Sequence, residues 1–470
     1  MSTAWFGLNT ALRGLVASQL MMDTAAHNTA NANTDGYSRQ VVSLVASDPY
    51  SYPAFNRSGQ PGQVGTGVSV STITRVRDAF TDLQLREQIP LEAAWTARRD
   101  ELGKVEVVFP EPDPIGGLGA ALGKFWDVWQ NLATDPSSST GRATVVESAA
   151  TLASRINSSA AQLVSLRQGI DLQVSQDVAT VNDLAAQIAA LNTQIQRVSV
   201  GGDHPNDLQD QRDKLLDQLA AFIPVKLEPQ ADGTVTVLVG GTDLVNGGRT
   251  RTISTTMDGS GHLHPAWSDG SAVALGNGRL GALVAVRDTQ LAGYQTQLDS
   301  LASTFADAVN AAHATGFDAN GAPGGPFFTY TPGNAAATLV VSAAIAADPR
   351  LLAAASAVGQ PGNGAVAGAI ADLRGAHLFA GGTATTADAY ANLIGQIGND
   401  SQQAIEMAQN QSLVTDHLRQ RRESTNGVSL DEEATNMIRF QHSYQAAARV
   451  ITVMDDMLDT LINKTGIVGR

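Results

Sequence analysis

At 470 residues and a formal net charge of −15, the chain has length for about three domains and is too acidic to favour nucleic acid or an anionic membrane surface as partner. Only 5% of residues are aromatic and 16% charged, so its apolar content lies in small side chains that suit close-packed helices better than a large β-core. There is no cysteine, which excludes disulfides, thiolate zinc sites and a cysteine nucleophile.

The first predicted element is a helix over residues 5–33. Trp5, Leu8, Leu12, Leu15, Gln19, Met22 and Ala26 recur at alternating three- and four-residue steps, the seam of a coiled coil with one polar member. This apolar start lacks a basic stretch and is interrupted by Asn9, Thr10 and Arg13, which argues against a cleaved leader. No window reaches the roughly 18 consecutive apolar residues of a membrane-spanning helix. Asn31, Asn33 and the pair Asp35-Gly36 are turn chemistry. Residues 40–47 and 67–75 read as strands, and 78–108 as a long helix that Pro90 is expected to kink. Three helical stretches follow at 116–131, 140–166 and 171–198, the last two divided at Gly169, and then a helix over 206–219.

Residues 224–280 alternate β-prone runs with Asp232-Gly233, Gly240-Gly241 and Gly247-Gly248 turns, which predicts a small antiparallel insertion. Helix resumes over 281–315, a loop with a strand pair follows at 316–328, and 373–379 and 387–422 are helical. The closing stretch carries a second seam: Met437, Phe440, Tyr444, Ala447, Ile451, Met454, Leu458 and Leu461. Ser429 and Glu432 have the spacing of a capping box, Asp431, Glu432 and Glu433 fill a first turn that favours acids, and Gly466 marks the stop. Two narrow seams, one near each end, are natural partners. The expected fold is therefore mainly α with β insertions, in a discontinuous multi-domain chain. Residues 1–75 with 425–470 form a terminal coiled-coil domain, 76–221 with 281–424 a helical domain built from both flanks, 222–280 a β-rich insertion and 316–348 a second small insertion.

Little in the sequence points to catalysis. Gly276-Asn277-Gly278-Arg279-Leu280-Gly281 matches G-x-G-x-x-G, but the helix it opens continues for about 35 residues, past where a compact βαβ unit turns into its second strand. A turn and helix start is the better reading. The Gly119 to Lys124 stretch lacks the first glycine and the Ser or Thr of a phosphate loop. Of eight histidines only His262 and His264 are closely spaced, with Asp258 and Asp269 nearby. On a strand both rings would share one face, which makes a weak metal site the remote alternative to a solvated loop. We expect no catalytic residues, no metal and no cofactor.

His27-Asn28, Ala30-Asn31, Asn33-Thr34 and Gly36-Tyr37-Ser38-Arg39-Gln40, placed after a helix, resemble the N-terminal signature of flagellar rod, hook and hook-associated proteins. Leu430 to Ala434 and Tyr444-Gln445-Ala446-Ala447-Ala448-Arg449 resemble the C-terminal signature of that family, in the form typical of its hook–filament junction branch. The Asn206-Asp207-Leu208 helix and the Gly316-Phe317-Asp318 segment are similar to that branch too. Asp35 stands where many members have proline, and Asp-Gly also makes a turn.

The resemblance implies a structural axial component, exported without a cleaved signal peptide to the extracellular flagellum, that joins hook to filament. Its partners would be copies of itself, the hook protein, the next hook-associated junction protein, and an export chaperone at the C-terminal helix. A hook or rod protein is the alternative. The residues expected to carry packing and assembly are Leu8, Leu12, Leu15, Met22, Asn28, Asn31, Gly36 and Tyr37, together with Met437, Phe440, Tyr444, Ile451, Met454, Leu458 and Leu461.

Overall fold

The computed structural model describes residues 3–49, 65–111, 117–259 and 261–464. In chain order it runs α1 (Thr3–Ala30), β1 (Gln40–Ala46), β2 (Val68–Arg75), α2 (Ala79–Val108), α3 (Leu118–Thr134), α4 (Ser139–Val200) and α5 (Asn206–Phe222). Then come β3 (Lys226–Pro229), β4 (Val235–Val239), β5 (Thr242–Asn246), β6 (Arg249–Thr250), β7 (Ile253–Met257) and β8 (Leu263–Trp267). α6 (Arg279–Ala285) passes through a π turn at Val286–Leu291 into α7 (Ala292–His313). β9 (Phe328–Thr329), α8 (Ala335–Thr338), β10 (Val340–Val341), α9 (Ala343–Ala347) and α10 (Ala365–Asp372) precede the long α11 (Thr386–Asn426) and the closing α12 (Leu430–Asp459). The fold is mainly α with small antiparallel sheets, as the sequence indicates.

Several boundaries differ from the sequence reading. The helices expected at 140–166 and 171–198 are one helix of 62 residues, which Gly169 does not interrupt. An interior glycine lowers helix stability by about 1 kcal/mol, less than the packing of a long apolar face supplies. Pro90 lies inside a continuous α2, and α10 occupies residues that carry no helix in the sequence reading. Within the loop expected at 316–328 Phe317 makes an isolated antiparallel bridge to Pro323, and the strand pair starts at its end, with Phe328 and Thr329 of β9 opposite Val341 and Val340 of β10. Gly116 and Gly466, read as a helix start and a helix stop, lie outside the described residues.

The chain forms two compact units. The first comprises residues 1–89, 181–252 and 413–470, the second residues 90–180 and 253–412.

In the first unit, β3, β4, β5 and β6 form an antiparallel sheet in sequential order, with Val235, Val237 and Val239 of β4 buried. Asn192 of α4, fully buried, donates to the carbonyls of Val235 and Gly247 at 2.9 and 3.0 Å and accepts from Arg212 of α5 at 3.1 Å. One amide thus ties two helices to the sheet, satisfying groups whose burial would otherwise be unfavourable. Leu85, Ile89 and Ala220, with Ala221, Val225 and Leu418 against them, make a small core among α2, α5 and α11.

The second unit is held by aromatic side chains. Phe125 of α3 meets Phe305 of α7 edge-on at 5.1 Å between centroids, and Trp129 meets Phe327 at 5.4 Å. His313, fully buried, accepts from the amide of Ala353 at Nε2 and faces the carbonyl of Gly325 from Nδ1 at 2.7 Å. These partners require a neutral ring protonated at Nδ1, and burial pushes its pKa down.

Candidate assembly interface

In the first unit α1 lies along α12. A Cβ added at Gly7 would meet Met454, and one at Gly14 would meet Ala447, so the two helices run antiparallel at close approach. Buried Ala11, Ser18, Ala25 and Asn28 continue the line of Gly7 and Gly14, with half-buried Met21 between them. The face of α1 in contact is therefore a heptad of small residues, offset from the seam read in the sequence. Trp5 and Leu12 of that seam are 62% and 49% exposed, Gln19 and Ala26 are exposed, and Leu8, Leu15 and Met22 are half-buried at its edge. The physical reason is size: a partner helix approaches closely only where side chains are small.

On α12 the contact face contains Met437, Phe440, Tyr444, Ala447, Ile451, Met454 and Leu458, all half-buried, while Leu461 is 58% exposed. What remains outside is apolar and large. Trp5, Leu12 and Val16 project from α1, Ile438, Val450, Val453 and Met457 from α12, and Leu461 and Ile462 from the π turn Thr460–Lys464 that continues it. Stripes of this kind on a folded unit mark contact surfaces.

The chain leaving α1 is fixed by polar contacts. Asn31 closes the helix by donating to the carbonyl of His27 at 3.0 Å. Gly36 has φ +85°, a left-handed turn that only glycine adopts freely, and it passes close over Lys214, which pairs with Asp35 at 2.9 Å. Asn28, buried at 1% exposure, donates to the carbonyl of Gln40 and accepts from its amide, both at 2.9 Å, and accepts from the Tyr37 hydroxyl at 2.7 Å. It acts as a one-residue extension of the strand ladder at the start of β1. Burial, then the carboxylates of Asp207, Asp210 and Glu433, hold the Tyr37 phenol above its ordinary pKa, so it remains a donor.

Beyond Tyr37 the motif reaches two distant stretches. Ser38 gives both its amide and hydroxyl to Asp210, at 2.7 and 2.8 Å, and Gln40 donates to Asp207 at 2.6 Å. Arg39 bonds Glu432 at 3.1 Å, lies 2.9 Å from Glu433, and gives its amide to the Asn426 carbonyl at 2.9 Å. Ser429 accepts from the Glu432 amide, one half of the expected capping box. The Glu432 carboxylate goes to Arg39, because a guanidinium is a stronger partner than a backbone amide.

The acidic face of α5 then collects arginines: Arg75 on Asp210 and Asp213 at 2.6 and 2.9 Å, Arg77 on Asp213 at 2.8 Å, Arg86 on Asp217 at 2.8 Å, and Arg422 on Asp217. Burial opposes ionisation of Asp213, but Arg77, Arg86 and Arg75 together outweigh it and hold its pKa below the usual value. Burial pushes Arg212 down to about 10, still charged at neutral pH. Asp210, Asp213 and Asp217 were not singled out from sequence as a partner set. The only signal was their regular spacing on α5.

The histidine pair lies in the second unit and is differently employed. His262 faces Asp171 at 3.1 Å, and His264 faces Asp258 at 3.1 Å and Asp288 at 3.4 Å. Buried Arg287, set by the π turn, lies 2.8 Å from His264 and pairs with Asp171 and Asp288. A guanidinium supplies the positive charge among these carboxylates, and Asp269 is turned to Ser271. Among the described residues no cluster has the makings of a metal site. Gly276 and Gly281 form a turn and helix start, the carbonyl of Gly276 lying where a Cβ on Gly281 would go.

A paired-helix unit with outward apolar stripes, its linker clamped to α5 and to the start of α12, defines a structural subunit of an axial assembly. The profile of the flagellar hook-associated protein FlgK helical domain matches residues 102–328, and that of the flagellar basal body rod FlgEFG protein C-terminal matches 419–464. Flagellar hook-associated protein 1 of Bacillus subtilis is 32% identical over the full length of both chains. The protein of the same name in Escherichia coli is 27% identical over 97% of this chain and 99% of its own. A solved structure of the flagellar hook junction protein FlgK from Burkholderia pseudomallei shares the fold, with TM-score 0.66 at 18% identity, over 74% of this chain and all of that one. The chain belongs to the flagellar hook-associated protein 1 family and is a structural component of the flagellar axis at the hook–filament junction.

Proposed function

We propose that this chain is an exported adaptor whose copies pack through the outward faces of α1 and α12. One side of the resulting zone meets the hook protein and the other the next hook-associated junction protein, while α12 is the segment held by an export chaperone before assembly. The reading rests on one observation: after α1 and α12 have paired, Trp5, Leu12, Val450, Val453, Met457 and Leu461 still face outward. A chain working alone has no use for such a stripe, whereas a repeating subunit buries it against neighbours. The role carries no catalytic step, and it is consistent with Arg287, His264, Asp171 and Asp288 being engaged with one another.

Val453→Asp tests it. The side chain is exposed, so the melting temperature of the isolated protein should move by no more than about 2 °C, the scale of a surface substitution. The strain should lose motility, keep its hooks and release flagellin monomers into the medium. Normal filaments on such a strain would overturn the proposal.

A further inference from the structure

The first unit carries another uncovered apolar surface, on helices that take no part in the α1–α12 pair. α2 and the last turns of α11 bound a groove of about 490 Å³ lined by Gln84, Glu87, Gln88, Leu413, Val414 and His417. The wall continues along α2 through Phe80 and Leu83, which are 59% and 56% exposed, while Leu413 is 69% exposed. Leu418 anchors the floor against Leu85 and Ile89.

The groove is polarised. Asp82 of α2 lies 3.9 Å from Arg422 of α11, which sets the two helices antiparallel and places exposed Arg421 at the Phe80 end, where its field reaches Asp78. Exposed Glu87 lies at the Leu413 end. Arg421, beside Asp78, thus offers a cation at one end of the groove, and Glu87 offers a carboxylate at the other.

The outer stripe of α12 has the complementary polarity. Val450, Val453, Met457 and Leu461 recur at three- and four-residue steps, with Arg449 at one end and Asp455, Asp456 and Asp459 toward the other. The stripe spans about 17 Å and the α11 wall about 12 Å at 1.5 Å per residue, so two to three helical turns can seat. Laid with Asp456 beside Arg421 and Arg449 beside Glu87, both charge pairs match and the apolar residues fill the groove.

We infer that the α2–α11 groove receives the outer stripe of α12 from a second copy of the chain. The inference rests on the axial role proposed above and names the receiving surface. Because knob and groove are different parts of one chain, the contact is heterologous and propagates from copy to copy, as an axial zone requires.

The absence of native cysteine makes the test clean. Copies bearing Leu413→Cys and copies bearing Val450→Cys, which this register places side by side, are expressed together in a strain lacking the native chain, and isolated flagella are oxidised. Expected is a disulfide-linked dimer that forms only when both kinds of copy are present. The inference is overturned if both kinds are incorporated without that dimer, if Leu413→Cys copies link to one another, or if they link to a different protein. Should the cysteine copies fail to incorporate, Arg421→Glu is expected to impair motility and Asp456→Arg in the same copies to restore it, and failure to restore overturns the inference. Whether the native chain is present in isolated flagella tests the axial reading separately.

Discussion

Asp213 shows how much of the first unit depends on single charges. Its carboxylate lies among Arg75, Arg77 and Arg86, and they hold its pKa below the usual carboxylate value against the opposing effect of burial. The unfolded carboxyl binds protons more readily than the folded one. Its contribution to stability is therefore full above about pH 4 and is lost as pH falls through the depressed folded value. Asp213→Asn should weaken the unit by about 3 kcal/mol at pH 7, the scale of breaking a buried pair, and flatten the fall in stability below pH 4. Urea unfolding at pH 7, 4 and 3 measures both. An unchanged acid slope in the variant would assign that slope to other carboxylates.

At the scale of elements, two glycines make opposite predictions. Gly169 sits in α4 with open space where a Cβ would go, so Gly169→Ala should stabilise by about 1 kcal/mol through helix propensity and a less flexible unfolded chain. Gly281 has the backbone carbonyl of Gly276 2.1 Å from its missing Cβ, so Gly281→Ala must move backbone and should destabilise by about 3 kcal/mol. Urea midpoints read both, and loss of stability in Gly169→Ala would mean that α4 is not continuous there. The same pair shows what pattern can convey. The 3.6-residue period located α1, α4 and α12, and turn chemistry located the Gly276 bend. Period alone could not tell that Gly169 is an interior residue, since a glycine break and a tolerated glycine look alike until packing is known. Nor could it choose the contact face of α1: a hydrophobic seam weights Leu12 above Gly7 and Gly14, whereas close approach to Met454 and Ala447 rewards the smaller residues. The Tyr37 to Gln40 motif was legible as a mark of family, but its partners Asp207, Asp210 and Glu432 lie too far along the chain for spacing to connect them.

Considered as a whole, the chain divides its ends unequally: neither terminus contributes a residue to the second unit, which consists of residues 90–180 and 253–412. Removing residues 1–40 takes away α1, Asn28, Ser38, Arg39 and Gln40, and with them the Ser38 bonds to Asp210 and the Arg39 contacts to Glu432 and Glu433, so the first unit should lose its cooperative transition. The second unit should keep its own, and His313 provides the means to recognise it. That imidazole is buried neutral with its pKa depressed, while the unfolded ring has the ordinary value near 6.5. Above that pH both states are neutral. Below it the unfolded state takes up a proton that the folded state resists, so stability falls as pH drops from about 6.5 toward the folded value, well before Asp213 begins to titrate. In calorimetry of the truncated chain, the surviving transition should move to lower temperature between pH 7.5 and 5.5, and His313→Gln should remove that shift. A truncated chain with no cooperative transition would show that the second unit needs the termini after all, and a surviving transition whose shift persists in His313→Gln would trace the pH dependence to other groups.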